Sequence, residues 1–416
     1  MDNNSQGKTE LATRQDTGRE SPAMTSMQKP VLMTNLAPID RRAFLRLSAL
    51  AAGSLAITRS LSAADPLTAV PRSRLDRLAT GANVCLWFRF PRGGSAEHFN
   101  NYIPEAEAAF MARLGLKHVR LCVAPRVIMN RTSGEVIEER GRQLEAAIER
   151  FHRAGLLVNV DIHNEERAAE LDPAWQEAFV RFWGSLAGRL SRFDPELTIL
   201  EIINEPVFER REEEWNTLNA RLAAVIRQNA PQHSIITSGP DWGGIDGLKK
   251  LRVLPDKNVI YSFHCYDPFA FTHQGATWAG DAVKPLRGVP YPSSPEAVEP
   301  LLSALENAPA SKRMLESYGK ERWNKQKLAA RFHQGIEWGA RNQVPLYCGE
   351  FGVFKTWSKP EHRANWFRDF GEVLAENRIG WAVWGWDEGF GLDRKMVNGK
   401  PVVDTVVAQA LGLKTA

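Results

Sequence analysis

The chain has 416 residues, of which 43% are hydrophobic and 25% charged, the composition of an ordinary globular protein. That composition excludes collagen-like, polytopic membrane and largely disordered chains, and the length suits one large domain. The net charge of +4 comes mostly from the first 64 residues, which hold 8 basic and 5 acidic residues. The remainder, with 45 basic and 44 acidic residues, is nearly neutral, so we expect no nucleic-acid partner.

The first 64 residues carry the pattern of an export signal. Residues 1–40 are polar and lack apolar periodicity, so we expect them to be disordered. They precede Arg41-Arg42, an apolar run over 47–57 and the small residues Ser62-Ala63-Ala64, an order typical of a twin-arginine signal peptide. The apolar run is too short for a membrane span, which needs roughly 20 residues. We therefore expect no stable membrane anchor.

This pattern predicts a leader over 1–64 that is cleaved after Ala64, with Met24, Met27 or Met33 as alternative starts of the chain. The expected partner is the twin-arginine export machinery, and the expected location is the periplasm or the medium.

Four cysteines, at 85, 122, 265 and 348, lie far apart without a C-x-x-C pair. That spacing gives no zinc pattern. Each cysteine stands in an apolar run, so we expect four buried free thiols. Disulfides are not expected in a protein that folds before export.

Beyond residue 80, short apolar runs alternate with helical patterns, which is typical of repeated βαβ units. Eight candidate strands cover 81–88, 118–123, 157–163, 197–204, 234–238, 258–266, 345–351 and 380–386. We predict a single α/β domain over 65–416 with the (β/α)8 TIM-barrel fold. A doubly wound open sheet is the alternative, although no G-x-G-x-x-G follows the first strand.

The connection after the sixth predicted strand is much longer than a usual βα loop. The 55 residues over 268–322 follow the sixth strand, where a βα loop usually has about 2 to 6. The segment holds seven prolines and one possible short helix over 296–307. We expect it to form a cleft wall or lid at the face where barrels build active sites, with a floppy insertion as the alternative.

Polar residues stand at the C-terminal ends of strands that are otherwise apolar. They are Arg120, His163, Asn204, Glu205, His264, Tyr266 and Glu350, with Trp384 at the end of the last strand. Burying a charge without a partner is costly, and in a barrel all these ends meet at one mouth. The alternative is a structural role, with His163 and His264 satisfied by backbone and Arg120 as an ion-pair partner only.

Two carboxylates, Glu205 and Glu350, follow strands four and seven, which lie on opposite sides of a barrel and can flank a bond held between them. Arg120 and Tyr266 can keep one carboxylate ionised while its charge raises the pKa of the other, giving one nucleophile and one acid. Neither carboxylate has a metal-ligand pattern beside it, so no metal or other cofactor is expected.

Tryptophans offer flat faces to sugar rings. Trp384 and Trp386 are expected at the mouth. In or near the βα connections lie Trp87, Trp242, Trp278 and Trp357, each of which could equally be packing. The ligand that these residues favour is a polysaccharide.

Six short segments resemble the family 5 glycoside hydrolases, the cellulase family. They are LEIINEP at 200–206, YCGEFG at 347–352, HCY at 264–266, DIHN at 161–164, VRL at 119–121 and AVW at 382–384. The resemblance covers roughly residues 80–390 and implies a retaining double displacement. In that reaction Glu205 is the acid/base and Glu350 the nucleophile, with their carboxyl groups about 5 to 5.5 Å apart.

The resemblance also implies roles in substrate binding. Asn204 would bond the 2-hydroxyl of the sugar in subsite −1, and His163 would bond the same sugar above a floor formed by Trp384. The remaining implied roles are Arg120 and Tyr266 orienting Glu350, and His264 beside Glu205.

The resulting hypothesis is a monomeric endo-β-1,4-glucanase that acts on soluble or amorphous glucan, since we expect no appended cellulose-binding module. β-Mannanase, β-1,3-glucanase and exo-acting β-glucosidase activities are alternatives, because the catalytic set does not report the orientation of hydroxyl groups. From other classes, a non-catalytic carbohydrate-binding protein would lack one carboxylate, and a metal-dependent hydrolase would need a His/Asp cluster at the mouth.

Overall fold

A computed structural model of the chain describes residues 69–91 and 93–415. The leader, its arginine pair and the cleavage point after Ala64 lie outside the described residues, so those expectations stay predictions. In the part of the chain that is described, no helix combines the length and apolarity that crossing a membrane requires.

Eight parallel strands form a closed barrel in sequence order. They are β1 Gly81–Phe88, β2 His118–Val123, β3 Leu157–Ile162, β4 Thr198–Glu201, β5 Ser234–Ser238, β6 Val259–His264, β7 Leu346–Glu350 and β8 Gly380–Val383. The barrel closes because β1 pairs with both β2 and β8. The predicted (β/α)8 fold is confirmed, and the open-sheet alternative is wrong.

The fourth and eighth strands are shorter than predicted, since 197–204 and 380–386 were expected to be extended throughout. The observed strands end at Glu201 and Val383. Regular strand pairing stops there, although the amides of Asn204, Trp384 and Trp386 still donate to carbonyls of neighbouring segments.

Fourteen helices are described, most of them around the barrel. They are α1 Arg72–Arg77, α2 Ala96–Asn101, α3 Glu105–Arg113, α4 Pro125–Ile128, α5 Glu138–Arg153, α6 Pro173–Leu190, α7 Glu212–Asn229, α8 Ile245–Lys250, α9 Phe269–Thr272, α10 Pro295–Leu302, α11 Pro309–Glu321, α12 Lys325–Asn342, α13 Pro360–Glu376 and α14 Thr405–Ala410. A two-stranded hairpin, β9 Lys395–Val397 and β10 Lys400–Val402, precedes α14.

Helix α5 shows why such segments become the outer ring. Its apolar residues Leu144, Ile148 and Phe151 recur on one face and are fully buried. Acidic residues occupy its first turn and basic residues its last, which favours the helix dipole at both ends. The apolar stripe packs against the barrel while the charged face meets solvent.

The N-terminal end of the barrel is closed by an apolar layer. Its buried residues are Val70, Leu78, Leu157, Ile199, Ile236, Ile260, Tyr347 and Ala382. Among the described residues, this apolar layer separates the polar groups inside the barrel from its N-terminal end.

The long connection after β6 folds into helices α9 to α11 instead of remaining a loose loop. The predicted short helix is confirmed as α10 followed by a 3-10 turn at Ser303–Leu305. Tyr291 in this insertion is buried, and its hydroxyl donates to Asp369 of α13 at 2.8 Å. The floppy-insertion alternative is therefore wrong.

Candidate active site

An arginine surrounded by carboxylates lies inside the barrel below the mouth. Arg120 of β2 is fully buried. Its Nε and Nη2 donate to Glu201 at 2.9 and 2.8 Å, and its Nη1 donates to Glu350 at 2.8 Å. Asp161 Oδ1 lies 3.2 Å from Nη2. A buried ion without partners would be costly, so these contacts hold the guanidinium and Glu350 in fixed positions.

Two asparagines complete the acceptors around this guanidinium. Asn83 Oδ1 of β1 accepts from Nη1 at 2.9 Å, and Asn204 Oδ1 accepts from Nη2 at 2.8 Å. All the donor hydrogens of Arg120 can be used by this set. Because the oxygen of Asn204 is taken by Arg120, its amide nitrogen is the group left to donate to a ligand.

Glu350 ends β7 with both oxygens bonded. Arg120 holds Oε1, and the Tyr266 hydroxyl donates to Oε2 at 3.0 Å. Burial, followed by the charges of Glu350 and Glu205, raises the pKa of Tyr266 well above its usual value, so the phenol remains a donor. This carboxylate is thus oriented for attack and supported by two donors.

Glu205, just beyond β4, has different neighbours. His264 Nδ1 lies 2.8 Å from its Oε1, and Arg167 Nη2 lies 3.7 Å from its Oε2. Arg167 also donates to the backbone oxygen of Glu205 at 2.6 Å. The acidic side chain is therefore held from two sides, by β6 and by the 3-10 turn Arg167–Leu171.

The two carboxylates face each other across the mouth. His264 Nδ1 is 3.7 Å from Glu350 Oε2, and a carboxylate oxygen of Glu205 lies within 4.8 Å of one of Glu350. Glu350 is 4% exposed. The two carboxyl groups therefore border one site, as the double displacement implied by the resemblance requires.

The electrostatics of Glu205 differ from the sequence-based expectation that nearby charge raises the pKa of the acid. Burial does raise the pKa of Glu205, but the hydrogen bond and charge of His264 and the charges of Arg167 and Arg120 outweigh it, and the pKa lies below its usual value. The direction differs from the expectation because the hydrogen bond and charge of His264, followed by the charge of Arg167, outweigh burial, and Arg167 lies in a connection that the strand pattern did not show.

His163 and Trp384 lie side by side at the mouth, with ring centroids 5.7 Å apart. His163 Nδ1 is 2.8 Å from Asp161 Oδ2. Burial, with the nearby charges of Arg89 and Arg120, lowers the pKa of His163 well below its usual value, so the ring is neutral. The partners of His163 and His264 are carboxylates, so the alternative of backbone-satisfied histidines is wrong.

The other tryptophans divide into two groups. Trp87 is fully buried, and so is Trp386, whose Nε1 donates to Glu107 of α3 at 2.7 Å. The expectation of Trp386 at the mouth is wrong, because the chain beyond β8 turns this side chain toward the outer helices. Trp242, Trp278 and Trp357 are exposed, at 50%, 64% and 45%.

Sequence reasoning missed several residues of the site. Glu201, Asn83 and Asp161 are fully buried partners of Arg120. The sequence does contain an indication of these three residues. Each is a polar residue inside an apolar strand, at the alternating position that faces the barrel interior. Arg167 gave no such signal, since it lies in a connection.

Two groups of side chains bring ligand atoms close enough for a metal ion. They are Glu205, His264 and Glu350, and Cys122, Asp161 and His163, each set with its atoms within 4.8 Å of one another. The sequence did not indicate either group, since no metal-ligand pattern lies beside the carboxylates in the chain. Arg120 already pairs with Glu350 and lies 3.2 Å from Asp161, and this positive charge disfavours a cation in either group. The absence of a metal stays a prediction.

The four cysteines are buried free thiols, as predicted. Cys85 and Cys122 are neighbours on β1 and β2, with sulfurs 3.6 Å apart. Burial raises the pKa of Cys122 to about 11, so its thiol stays protonated and contributes to packing.

Comparisons with known proteins find a matching family and several relatives. The chain matches the cellulase family (glycosyl hydrolase family 5) over residues 79–389. It is 31% identical over 332 residues to Endoglucanase C of Acetivibrio thermocellus, covering 76% of this chain and 95% of that one. It is 26% identical to Cellodextrinase A of Ruminococcus flavefaciens, covering 75% of this chain and 84% of that protein.

Solved structures give the same result. The crystal structure of endoglucanase Cel5A from Thermotoga maritima superposes with a TM-score of 0.66 at 25% identity, over 82% of this chain and 99% of that one. A hyperthermophilic endo-β-1,4-glucanase in complex with substrate superposes with a TM-score of 0.67 at 22% identity, over 82% and 98% of the two chains, and supports the fold alone.

Proposed function

The chain belongs to the cellulase family, glycosyl hydrolase family 5, and we propose that it hydrolyses β-1,4-glucan at internal bonds by double displacement. It is a glycoside hydrolase. The observation that carries the mechanism is the close pair of carboxylates with unlike neighbours, Glu350 between Arg120 and Tyr266 and Glu205 beside His264.

In the first half of the reaction, Glu350 attacks the anomeric carbon of the sugar in subsite −1 and forms a glycosyl ester. Glu205 protonates the glycosidic oxygen as the bond breaks, and the aglycone leaves as an alcohol. Arg120 and Tyr266 hold the attacking carboxylate, so little reorganisation is needed when its charge is lost.

In the second half, Glu205 removes a proton from water, and the water oxygen attacks the anomeric carbon. Glu350 leaves as a carboxylate and again accepts from Tyr266 and Arg120. Two inversions at one carbon give net retention. Binding of a sugar chain displaces water from Glu205 and favours its protonated form, which offsets the lowering of its pKa by His264 and Arg167.

The remaining site residues bind the sugar in subsite −1. Asn204 donates from its amide nitrogen to the 2-hydroxyl, a contact that strengthens in the transition state. His163 is neutral and bonds the same sugar, while Trp384 forms the apolar floor.

The roles of the two carboxylates separate in a rescue experiment. Glu205→Ala should still be glycosylated by a dinitrophenyl cellobioside, because that leaving group needs no proton, and azide should restore turnover by giving a β-glycosyl azide. Glu350→Ala should lose at least ~10⁴-fold in kcat on the same substrate, and any azide product should have the α configuration. Glu177→Gln, an exposed surface change, is the control. The opposite pattern would exchange the roles.

The substrate is tested with carboxymethylcellulose, mannan, laminarin and aryl glucosides. We expect the largest kcat/KM on carboxymethylcellulose, with viscosity falling faster than reducing ends accumulate, which is the signature of internal cleavage. Preference for mannan or laminarin would replace the proposed substrate, and release of single glucose units would make the enzyme exo-acting. EDTA should leave the rate unchanged, because the mechanism uses no metal.

We also propose export through the twin-arginine route to the periplasm or the medium, as a monomer. Support comes from the Arg41-Arg42 motif and from the free cysteines, since a protein exported after folding need not form disulfides. Replacing both arginines by lysine should leave the enzyme in the cytosol, measured by fractionation. Correct export of that variant would contradict the route, and light scattering tests the monomer.

A further inference from the structure

Tyr266 is held in place by residues at the start of the insertion after β6. Its hydroxyl donates to Glu350 Oε2 at 3.0 Å, so the position of the phenol ring sets one of the two hydrogen bonds to this carboxylate from outside its own strand. Tyr266 lies two residues beyond the end of β6. The contacts that fix it there come from the short helix α9 and the residue that follows it.

The backbone of Tyr266 is bonded by a buried hydroxyl. Thr272, the last residue of α9, is fully buried. Its Oγ1 donates to the Tyr266 carbonyl at 2.6 Å, whereas the Pro268 carbonyl is 3.4 Å away. Because a hydroxyl has a single hydrogen, Oγ1 is left to accept from Nδ1 of His273, which lies 3.0 Å away. The hydrogen bonds therefore run from His273 through Thr272 to the backbone of Tyr266.

The ring of His273 packs against the ring of Tyr266. The two rings meet edge-on with centroids 5.1 Å apart, and His273 stacks on Phe269 at 4.0 Å. Phe390 lies 6.1 Å from Tyr266 and 5.2 Å from His273. Burial lowers the pKa of His273 to about 3, so the ring is neutral near pH 7 and adds no charge beside Glu350. The phenol ring is thus restricted by two neighbouring rings.

The end of α9 is itself anchored to two other segments. The Thr272 carbonyl accepts from the Phe354 amide at 2.8 Å, and Phe354 lies in the connection that follows Glu350. Gln274 is fully buried, and its Oε1 accepts from the Val289 amide at 2.8 Å. The β7 connection and the rest of the insertion therefore hold α9 in one position.

From these contacts we propose that Thr272 and His273 are positioning residues for the nucleophile, which they orient through Tyr266. Thr272 fixes the backbone of Tyr266 and His273 fixes its ring, so the hydroxyl reaches Glu350 without reorganisation as the carboxylate attacks. The inference rests on the proposed double displacement. It adds that the insertion contributes to kcat, through two of its first residues.

The test is a double-mutant cycle with Tyr266. The substrate is a dinitrophenyl cellobioside, because its leaving group needs no proton and the first release of phenolate reports attack by Glu350. Thr272→Val should lower the rate constant at saturating substrate about tenfold, with half-saturation changed less than about twofold. In the Tyr266→Phe background the same change should cost less than about twofold, because no hydroxyl remains to be positioned. Thr272→Ser, which keeps the hydroxyl, should recover most of the rate.

His273→Ala tests the ring contact independently of the threonine. We expect a loss of about fivefold in the parental enzyme and almost none in Tyr266→Phe, while His273→Phe should recover part of the loss. The matched control is Thr217→Val, which removes an exposed helical hydroxyl bonded to the Glu213 carbonyl and should leave the rate unchanged. Thermal unfolding shows that each variant is folded.

Equal losses with and without the Tyr266 hydroxyl would indicate a structural role only and overturn the proposal, as would parental rates in the folded variants. A loss confined to half-saturation would make these residues substrate binders and would overturn it as well. In all these outcomes the wild-type enzyme still hydrolyses glucan. Wild-type inactivity on every glucan would instead refute the proposed function, and the positioning role with it.

Discussion

The centre of the mouth differs from its rim in burial and charge. The rim is the set of connections that carry the exposed Phe90, Trp242, Phe269, Trp278 and Trp357. At the centre, Arg120 is fully buried and bonded to Glu201, Glu350, Asn83 and Asn204. At the rim, exposed aromatic rings stand on connecting segments. The contrast shows that charge is fixed by surrounding partners where bonds change, whereas the rim exposes apolar surface. The centre should therefore respond to mutation through stability and kcat, and the rim through KM.

The largest effect is expected from Arg120→Ala. This change leaves Glu201, Asp161 and Glu350 buried without their cation, so the free energy of unfolding should fall by about 3–5 kcal/mol. Activity should be lost as well, because Glu350 loses one of its two donors. Urea denaturation followed by circular dichroism measures the stability change. Arg221→Ala, which removes an exposed pair with Glu177, should cost no more than about 1 kcal/mol, and equal costs for both variants would contradict the distinction.

Tyr266→Phe isolates the second donor to Glu350. Removing the hydroxyl bonded at 3.0 Å should reduce kcat by about 100-fold, the loss expected for a donor in a preorganised site, with KM little changed. Steady-state kinetics on carboxymethylcellulose give both parameters. Tyr318→Phe in the insertion is the matched control. A change confined to KM would place Tyr266 in substrate binding instead.

Glu388, in the connection after β8, lies at the border of the two regions. Burial raises its pKa to about 7, although Arg89 and Cys85 oppose the shift, and its Oε2 is buried without a hydrogen-bond partner among the described residues. Between the ordinary pKa of a glutamate and about pH 7, the folded protein therefore binds one more proton than the unfolded chain does. The free energy of unfolding should therefore fall as pH rises from about 4.5 to 7. In Glu388→Gln this fall should be smaller by about 2 kcal/mol. Denaturation at pH 5 and pH 8 measures it, and parallel pH dependence in both proteins would refute the assignment.

The smallest effect concerns Arg167, which lies 3.7 Å from Glu205 Oε2. Its positive charge favours the ionised form, so Arg167→Gln should raise the pKa of Glu205. The acid then stays protonated to higher pH, and the basic limb of the kcat/KM profile should move upward by about half a unit. Arg221→Gln is the surface control. A downward shift would mean that Glu205 is not the group that must be protonated.

The same contrast explains what the sequence could predict. Strand-end residues such as Glu205, His264 and Glu350 were identifiable because a barrel brings its strand ends together. Glu201 and Asn83 carry the same kind of signal at an interior-facing position. The connections were harder, because whether Trp386 is buried or Trp278 exposed depends on which helix or loop packs against it, and local sequence does not encode that partner.

The long connection after β6 was likewise predictable in its local structure but not in its distant contacts. Its length and prolines predicted an unusual connection near the mouth, and the short helix α10 was predictable from its pattern. The contact that places Trp357 over Gly275 joins residues 82 positions apart. No spacing rule within a single connection predicts such a pairing.

The most direct test of the mechanism is to trap the covalent intermediate. A 2-deoxy-2-fluoro cellobioside with a dinitrophenyl leaving group should inactivate the enzyme with release of one equivalent of phenolate, and digestion with mass spectrometry should locate the sugar on Glu350. Attachment to Glu205, or turnover through an initially inverted product without any labelled peptide, would contradict the assignment of nucleophile and acid.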